Sequence, residues 1–236
     1  MKQLKRIILA MVLVVWAATA DATTLKYRAY GRGFHIMDIE TEYDLNKNDY
    51  AVLTHAQSKG PLNLFMKRTE SYYYSAGRRR GADFIIDLST TKKIQKKKEL
   101  FNAVDFTGTR DMLDYSTAVL KLITQARPHN ATIRLQDAKR EMTATLTYQG
   151  TATPDQKVKV QAKDWFFYTL SLTVNRGKTK GWFFRRLDND KNPPVRLYFA
   201  RVQDVPELVP VKIEMDSGFW GTIRVYLTDI TPDSMP

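Results

Sequence analysis

TLKYRAYGRGFHIMDIETEYDL, residues 24–45, alternates apolar and polar side chains with a period of two through two successive runs. In the first run Leu25, Tyr27 and Ala29 fall on one face, and Lys26, Arg28 and Tyr30 on the other. In the second, His35, Met37, Ile39, Thr41 and Tyr43 form the more apolar side, opposite Phe34, Ile36, Asp38, Glu40 and Glu42. A helix cannot separate residues this way, whereas a pleated strand with one solvated face does so automatically. Asn46, Lys47, Asn48 and Asp49 supply turn chemistry, and residues 50–57 return as a strand, which makes the opening a three-stranded meander.

The pattern spreads from there along the chain. At 61–68 the alternation breaks, and Leu62, Phe65 and Met66 fit one face of a short helix. SYYYSAG (71–77) and ADFIIDLS (82–89) read as strands, and KKIQKKKEL (92–100) as an exposed strand or loop. Residues 111–126 are the long helix: Met112, Tyr115, Val119 and Leu122 recur at three- and four-residue spacing, widened by Leu113, Leu120 and Ile123. Asp111 and Asp114 would lie in its first turn and favour the positive end of its dipole, and Pro128 ends it. Six further segments rich in Val, Ile, Thr, Tyr and Phe follow. The expected fold is mainly β: one large curved antiparallel sheet, open or partly closed as a barrel, with one principal α-helix, similar in outline to lipoprotein carriers.

The N-terminus reads as an address. Lys2, Lys5 and Arg6 precede the apolar run 7–16 and the small residues Ala17, Ala18 and Thr19, the three parts of a signal peptide. The expected cut follows Ala22, with Ala18-Thr19-Ala20 as the other site and an uncleaved anchor as the alternative. The run is shorter than the roughly 20 apolar residues a permanent span needs, and no second such run follows, so no transmembrane segment is expected in the mature chain. There is no cysteine, which excludes a lipoprotein anchor and any disulfide. Residues 23–236 are expected to form one periplasmic domain whose stability comes from its core.

The chain carries 37 Lys and Arg against 25 Asp and Glu. Removing Lys2, Lys5, Arg6 and Asp21 with the leader takes away three cations and one anion and leaves a charge of +10. In an exported protein such a surplus faces anionic lipid, cell-wall polymer or an envelope protein, and nucleic acid is not an expected partner. RGKTKGWFFRR (176–186) interleaves aromatics with cations, and Arg176, Lys178, Lys180, Trp182, Arg185 and Arg186 are the residues expected to meet an anionic surface.

Catalytic chemistry has little support. His35, His55 and His129 are far apart without metal-ligand spacing, there is no GxSxG elbow, and no cofactor is expected. Asp38, Glu40 and Glu42 project together at period two, which could seat a glycosidase pair or simply form the polar face of a strand. Trp165, Phe166 and Phe167 are consecutive, so within a strand at least one points away from the others, and they are the candidate lining of an apolar groove.

Five segments taken in order carry a resemblance: the opening pair at 27–45, DYAVLTHAQSKG (49–60), RDMLDYSTAVLKLI (110–123), LQDAKREMTATLTYQG (135–150) and PELVPVKIEMDSGFWGTIRVYLTDI (206–230). The chain resembles the periplasmic family catalogued as Domain of Unknown Function 3108 over nearly its whole mature length. The resemblance implies a fold and a compartment and assigns no catalytic residue. Many relatives carry two cysteines where this chain has Asn130 and the stretch Tyr168, Thr169, Leu170. Two functions remain from the sequence: a non-enzymatic binding or scaffold protein of the envelope, and an envelope glycan hydrolase working through Asp38 and Glu40.

Overall fold

The computed structural model describes residues 22–66, 68–95, 98–106, 111–124, 129–177, 194–203, 205–218 and 220–232. Among these described residues thirteen strands form a single sheet: β1 (Thr23–Gly31), β2 (Phe34–Leu45), β3 (Asp49–Ser58), β4 (Thr69–Arg80), β5 (Asp83–Gln95), β6 (Lys98–Val104), β7 (Met112–Leu113), β8 (Ala131–Asp137), β9 (Arg140–Thr151), β10 (Ala162–Gly177), β11 (Val195–Val202), β12 (Leu208–Asp216) and β13 (Thr222–Thr231). Helix α1 (Pro61–Met66) follows β3, and α2 (Tyr115–Ile123) follows β7. Strand order is β6-β5-β4-β3-β2-β1-β13-β12-β11-β10-β9-β8-β7. Two meanders, β1–β6 and β7–β13, are thus joined where the last strand pairs with the first. Every pairing is antiparallel except the short parallel β7–β8 contact. The sheet is open at β6 and β7, yet it curls far enough for β7 to touch β5, and α2 meets β3, β4 and β5 on one side and β8 and β12 on the other.

Alternation accounts for which face turns inward. Leu25, Tyr27 and Ala29 are buried on β1, and their partners Thr41, Ile39 and Met37 share that inner face. A two-residue hairpin joins β1 to β2, with Arg32 at φ 50° and Gly33 at φ 83°. Both central residues therefore have the left-handed backbone that suits the twist of a tight hairpin. Strict alternation fails two residues later. Tyr30 pairs with His35 and Ala29 with Met37, so Ile36 is an extra residue in a bulge. Ile36 is only 2% exposed, while His35 leaves the apolar set and meets Tyr30, with ring centres 5.6 Å apart.

The helix departs from its expected form. Met112 and Leu113 are strand, and α2 begins only after Asp114, whose extended backbone and side chain cap it: Thr117 N donates to Asp114 Oδ1 at 2.8 Å. Its buried residues are Thr117, Ala118, Leu120 and Ile123, whereas Val119 is 40% exposed. The apolar stripe is therefore rotated from the spacing reading, because the turn that was to carry Met112 is not helical. Nine residues are too few for a stable isolated helix. Burial of Leu120 and Ile123, each 0% exposed and worth about 1.5–3 kcal/mol, holds it inside the curl. A buried hydroxyl cluster fixes its height: Thr117 Oγ1 shares hydrogen bonds with Ser75 Oγ (2.9 Å) and Tyr50 OH (3.1 Å).

Candidate functional site

The three consecutive aromatics pack against different neighbours. Lys163 pairs with Arg201 but Phe166 pairs with Phe199, so β10 carries an irregularity there, and Asp164 takes a positive φ of 51°. This turns Trp165 into the main core at 4% exposure, its Nε1 donating to Ala162 O at 3.3 Å. Phe166 packs inward against a second apolar cluster around Tyr168, Leu197 and Phe199. Phe167 pairs instead with Tyr198, their rings stacked at 5.0 Å. Among the described residues α2 occupies the concavity of the curled sheet.

Of the predicted basic contact, only Arg176 is described. It is an exposed residue at the end of β10, 3.6 Å from Glu141. Lys178, Lys180, Trp182, Arg185 and Arg186 lie outside the described residues.

The carboxylates at period two find their explanation in strand register. Asp38 lies opposite Arg28, and Glu40 lies opposite Lys26 on β1 and His55 on β3. Cross-strand pairing of an acidic row with a basic row stabilises the sheet by itself. Asp38 also accepts from His35 Nε2 at 2.7 Å and sits 3.4 Å from Lys59 Nζ. His55 stacks on Tyr72 at 4.4 Å. Among the described residues no group of three His, Asp or Glu could hold a metal ion, and no helix is long and apolar enough to cross a membrane.

A cleft that no local motif announces lies on the outer face of β1 and β13, beneath the connection 152–161. It measures about 540 Å³ and is lined by Lys26, Arg28, Lys157, Lys159 and Arg224, with Tyr30, Tyr226 and one carboxylate, Asp229. Its walls follow from topology. Arg28 lies in register with Tyr226, and Tyr30 with Arg224, because β13 returns to pair with β1. The connection is tied down by Lys159 N donating to Leu227 O at 3.1 Å and by the Asp155–Lys212 ion pair at 2.8 Å.

Lys212 belongs to a network beside this cleft. Its Nζ is 3.1 Å from Glu214 Oε1, and Arg224 Nε lies 3.2 Å from the same oxygen. Burial pushes the Glu214 carboxyl upward, but its hydrogen bonds to Lys212 and Arg224 win and hold it below the usual range. Burial likewise opposes the charge of Lys212, which Asp155 and Glu214 nevertheless keep above the ordinary lysine value. The network satisfies Arg224, and Asp229 lies 3.5 Å from Lys26. Arg28, Lys157 and Lys159 have no carboxylate within 4.0 Å among the described residues. Tyr226 is only 2% exposed although its side chain points outward, because Tyr30, Lys157 and Lys212 surround its ring.

Comparison with protein-family models and with curated proteins found no match. Sequence reading missed this cleft because its cations come from β1, the 152–161 connection and β13. The outward set Lys26, Arg28 and Tyr30 was the one legible sign of it.

Proposed function

We propose that the protein is exported to the periplasm through its leader and acts there as a non-enzymatic binding protein for an anionic envelope component. The observation that supports this most is the outer-face cleft, five cations against one carboxylate in about 540 Å³. Concentrating like charges costs free energy, and Arg28, Lys157 and Lys159, which form no ion pair within 4.0 Å among the described residues, have it offset only in part, by Asp38 across the strand pair and by Asp155. A phosphate- or carboxylate-bearing group would supply the missing charge, and the volume falls within the range of ligand clefts. Tyr30, packed over the buried Tyr226 ring, adds amphipathic surface suited to a headgroup or polymer unit. Asp38 and Glu40 already have a sufficient role in cross-strand pairing, so the glycan hydrolase reading gains nothing from the geometry. The likeness to Domain of Unknown Function 3108 supports the same compartment on segment order alone.

The test uses the mature chain with two probes, phosphatidylglycerol vesicles and a soluble poly(glycerol phosphate), and with phosphatidylcholine vesicles as the neutral control. Reversing three charges (Arg28→Glu, Lys157→Glu and Lys159→Glu) removes about 1 kcal/mol of attraction per cation, so binding should weaken roughly a hundredfold. The same number of reversals at exposed Lys47, Lys98 and Lys163 corrects for net charge. Equal binding by the two triple variants would remove the cleft from the reading. Binding to vesicles alone identifies a headgroup, and binding to the free polymer identifies a wall-type ligand.

A further inference from the structure

A second cleft opens on the concave face, between the inner side of β4–β6, the start of α2 and the β8–β9 hairpin. It holds about 260 Å³. Its character differs from that of the outer cleft. Asp114 and Asp137 balance Lys139 and Arg140, so the lining carries no excess charge. Tyr73, on the inner face beside Thr54 and Thr91, is 38% exposed at its wall, and Asn102, Tyr115 and Gln136 add donors and acceptors.

The polar groups are held in place. Tyr115 OH donates to Asp137 Oδ2 at 3.3 Å, and Arg140 Nε sits 3.2 Å from the same oxygen, with only 10% of the arginine side chain exposed. Lys139 N donates to Asp137 Oδ1 at 2.7 Å. Gln136 does not share in this. Its Oε1 is excluded from solvent and has no hydrogen-bond partner among the described residues. A buried acceptor left unmade is costly, and it is satisfied only by a group that brings a donor.

We infer that this concave cleft is a binding site for a neutral saccharide, with Tyr73 offering a face to the sugar ring and the half-buried Gln136 turning its amide so that Oε1 accepts from a hydroxyl. A sugar ring carries donors and acceptors around its rim and an apolar C–H face, which matches a balanced lining with a tyrosine at its wall. Charge neutrality argues against the anion assigned to the outer cleft, and the polar rim argues against an acyl chain. The volume accommodates about one ring, and the open mouth leaves room for the chain of a longer glycan. Nothing here depends on the outer cleft.

Saturation-transfer NMR on the mature chain, with glucose, galactose, N-acetylglucosamine, maltose, cellobiose and N,N′-diacetylchitobiose as probes, tests the assignment. At least one should receive saturation, and Tyr73→Ser should weaken it about tenfold. Gln136→Leu is the discriminating variant, because it removes an acceptor the protein itself does not use. It should weaken the same sugar at least about fivefold while leaving the melting temperature unchanged or raised. Absence of signal from all six sugars overturns the assignment. So does undiminished binding in both variants, or a fall in melting temperature for Gln136→Leu, which would place Oε1 in a structural bond. The triple reversal at the outer cleft should leave sugar binding intact, so either site can fail without the other.

Discussion

Thr117→Val changes one atom group where the structure permits a worked magnitude. Thr117 and Ser75 are 0% exposed and Tyr50 is 3% exposed, so no water replaces a bond lost among them. Valine keeps the β-branched shape and the backbone bond from residue 117 to Asp114, but it deletes both contacts of Oγ1, at 2.9 and 3.1 Å. Two net hydrogen bonds at about 1 kcal/mol each, plus partial orphaning of Ser75 and Tyr50, give a loss of about 2–3 kcal/mol. Those two hydroxyls retain only each other at 3.5 Å. In a domain of this length the melting temperature should fall by about 5–10 °C. Urea unfolding followed by circular dichroism gives the free energy directly. The triple variant Tyr50→Phe, Ser75→Ala, Thr117→Val should lose less than the sum of its parts, since replacing all partners removes the orphaned groups. A Thr117→Val cost under about 0.5 kcal/mol, or strict additivity in the triple variant, would refute the claim that this cluster pins α2 to the sheet.

Three further outcomes follow from burial, backbone contact and backbone strain. Burial raises the Tyr50 hydroxyl to about 12, against its bonds to Ser75 and Thr117, and burial raises Tyr168 to about 12 as well; Tyr27 and Tyr43 shift in the same direction for the same first cause. The native state then keeps protons that the unfolded chain releases near pH 10, so stability is full below that pH and falls as pH rises, by about 1.4 kcal/mol per unit for each such tyrosine. Urea midpoints measured across this window, alongside phenolate absorbance, check the sign; a flat profile through about pH 11 would contradict it. Gly77→Ala should cost about 3 kcal/mol in the same unfolding assay, because its Cβ would lie 2.0 Å from Ile85 O and 2.9 Å from Asp87 N, both backbone atoms at a bulge. Gly81→Ala, on the same hairpin with nothing within 4 Å but φ of +62°, should cost only the left-handed strain of about 1–2 kcal/mol.

What could be read early and what could not divides along physical lines. Period-two alternation fixes strands locally, since the pleat alone sends neighbours to opposite faces, and the opening meander and the great excess of sheet followed from it. So did the acidic row of Asp38, Glu40 and Glu42 on one side of β2, opposite Lys26 and Arg28. Bulges are the exception that alternation cannot foresee, because an extra residue is tolerated only where the partner strand and core accept it. One bulge returned His35 to the outer side and buried Ile36; another irregularity sent Trp165 into the core and parted it from Phe167. The start of α2 was legible in principle from Asp114, three residues before Thr117, but the apolar spacing outweighed it.

The sequence by itself determined the strand-rich class, the absence of cysteine and the cationic surplus, all of which are local or additive properties. Tertiary structure alone decided where part of that surplus gathers. Residues near 26, 157 and 224 share a cleft only because β13 closes against β1 and the 152–161 connection is tied across them. The concave cleft likewise exists because the sheet curls until the β8–β9 hairpin faces β4–β6. Local periodicity encodes which way a side chain points along its own strand, whereas long-range pairing sets which strands become neighbours, and both clefts are made by neighbours distant in the chain.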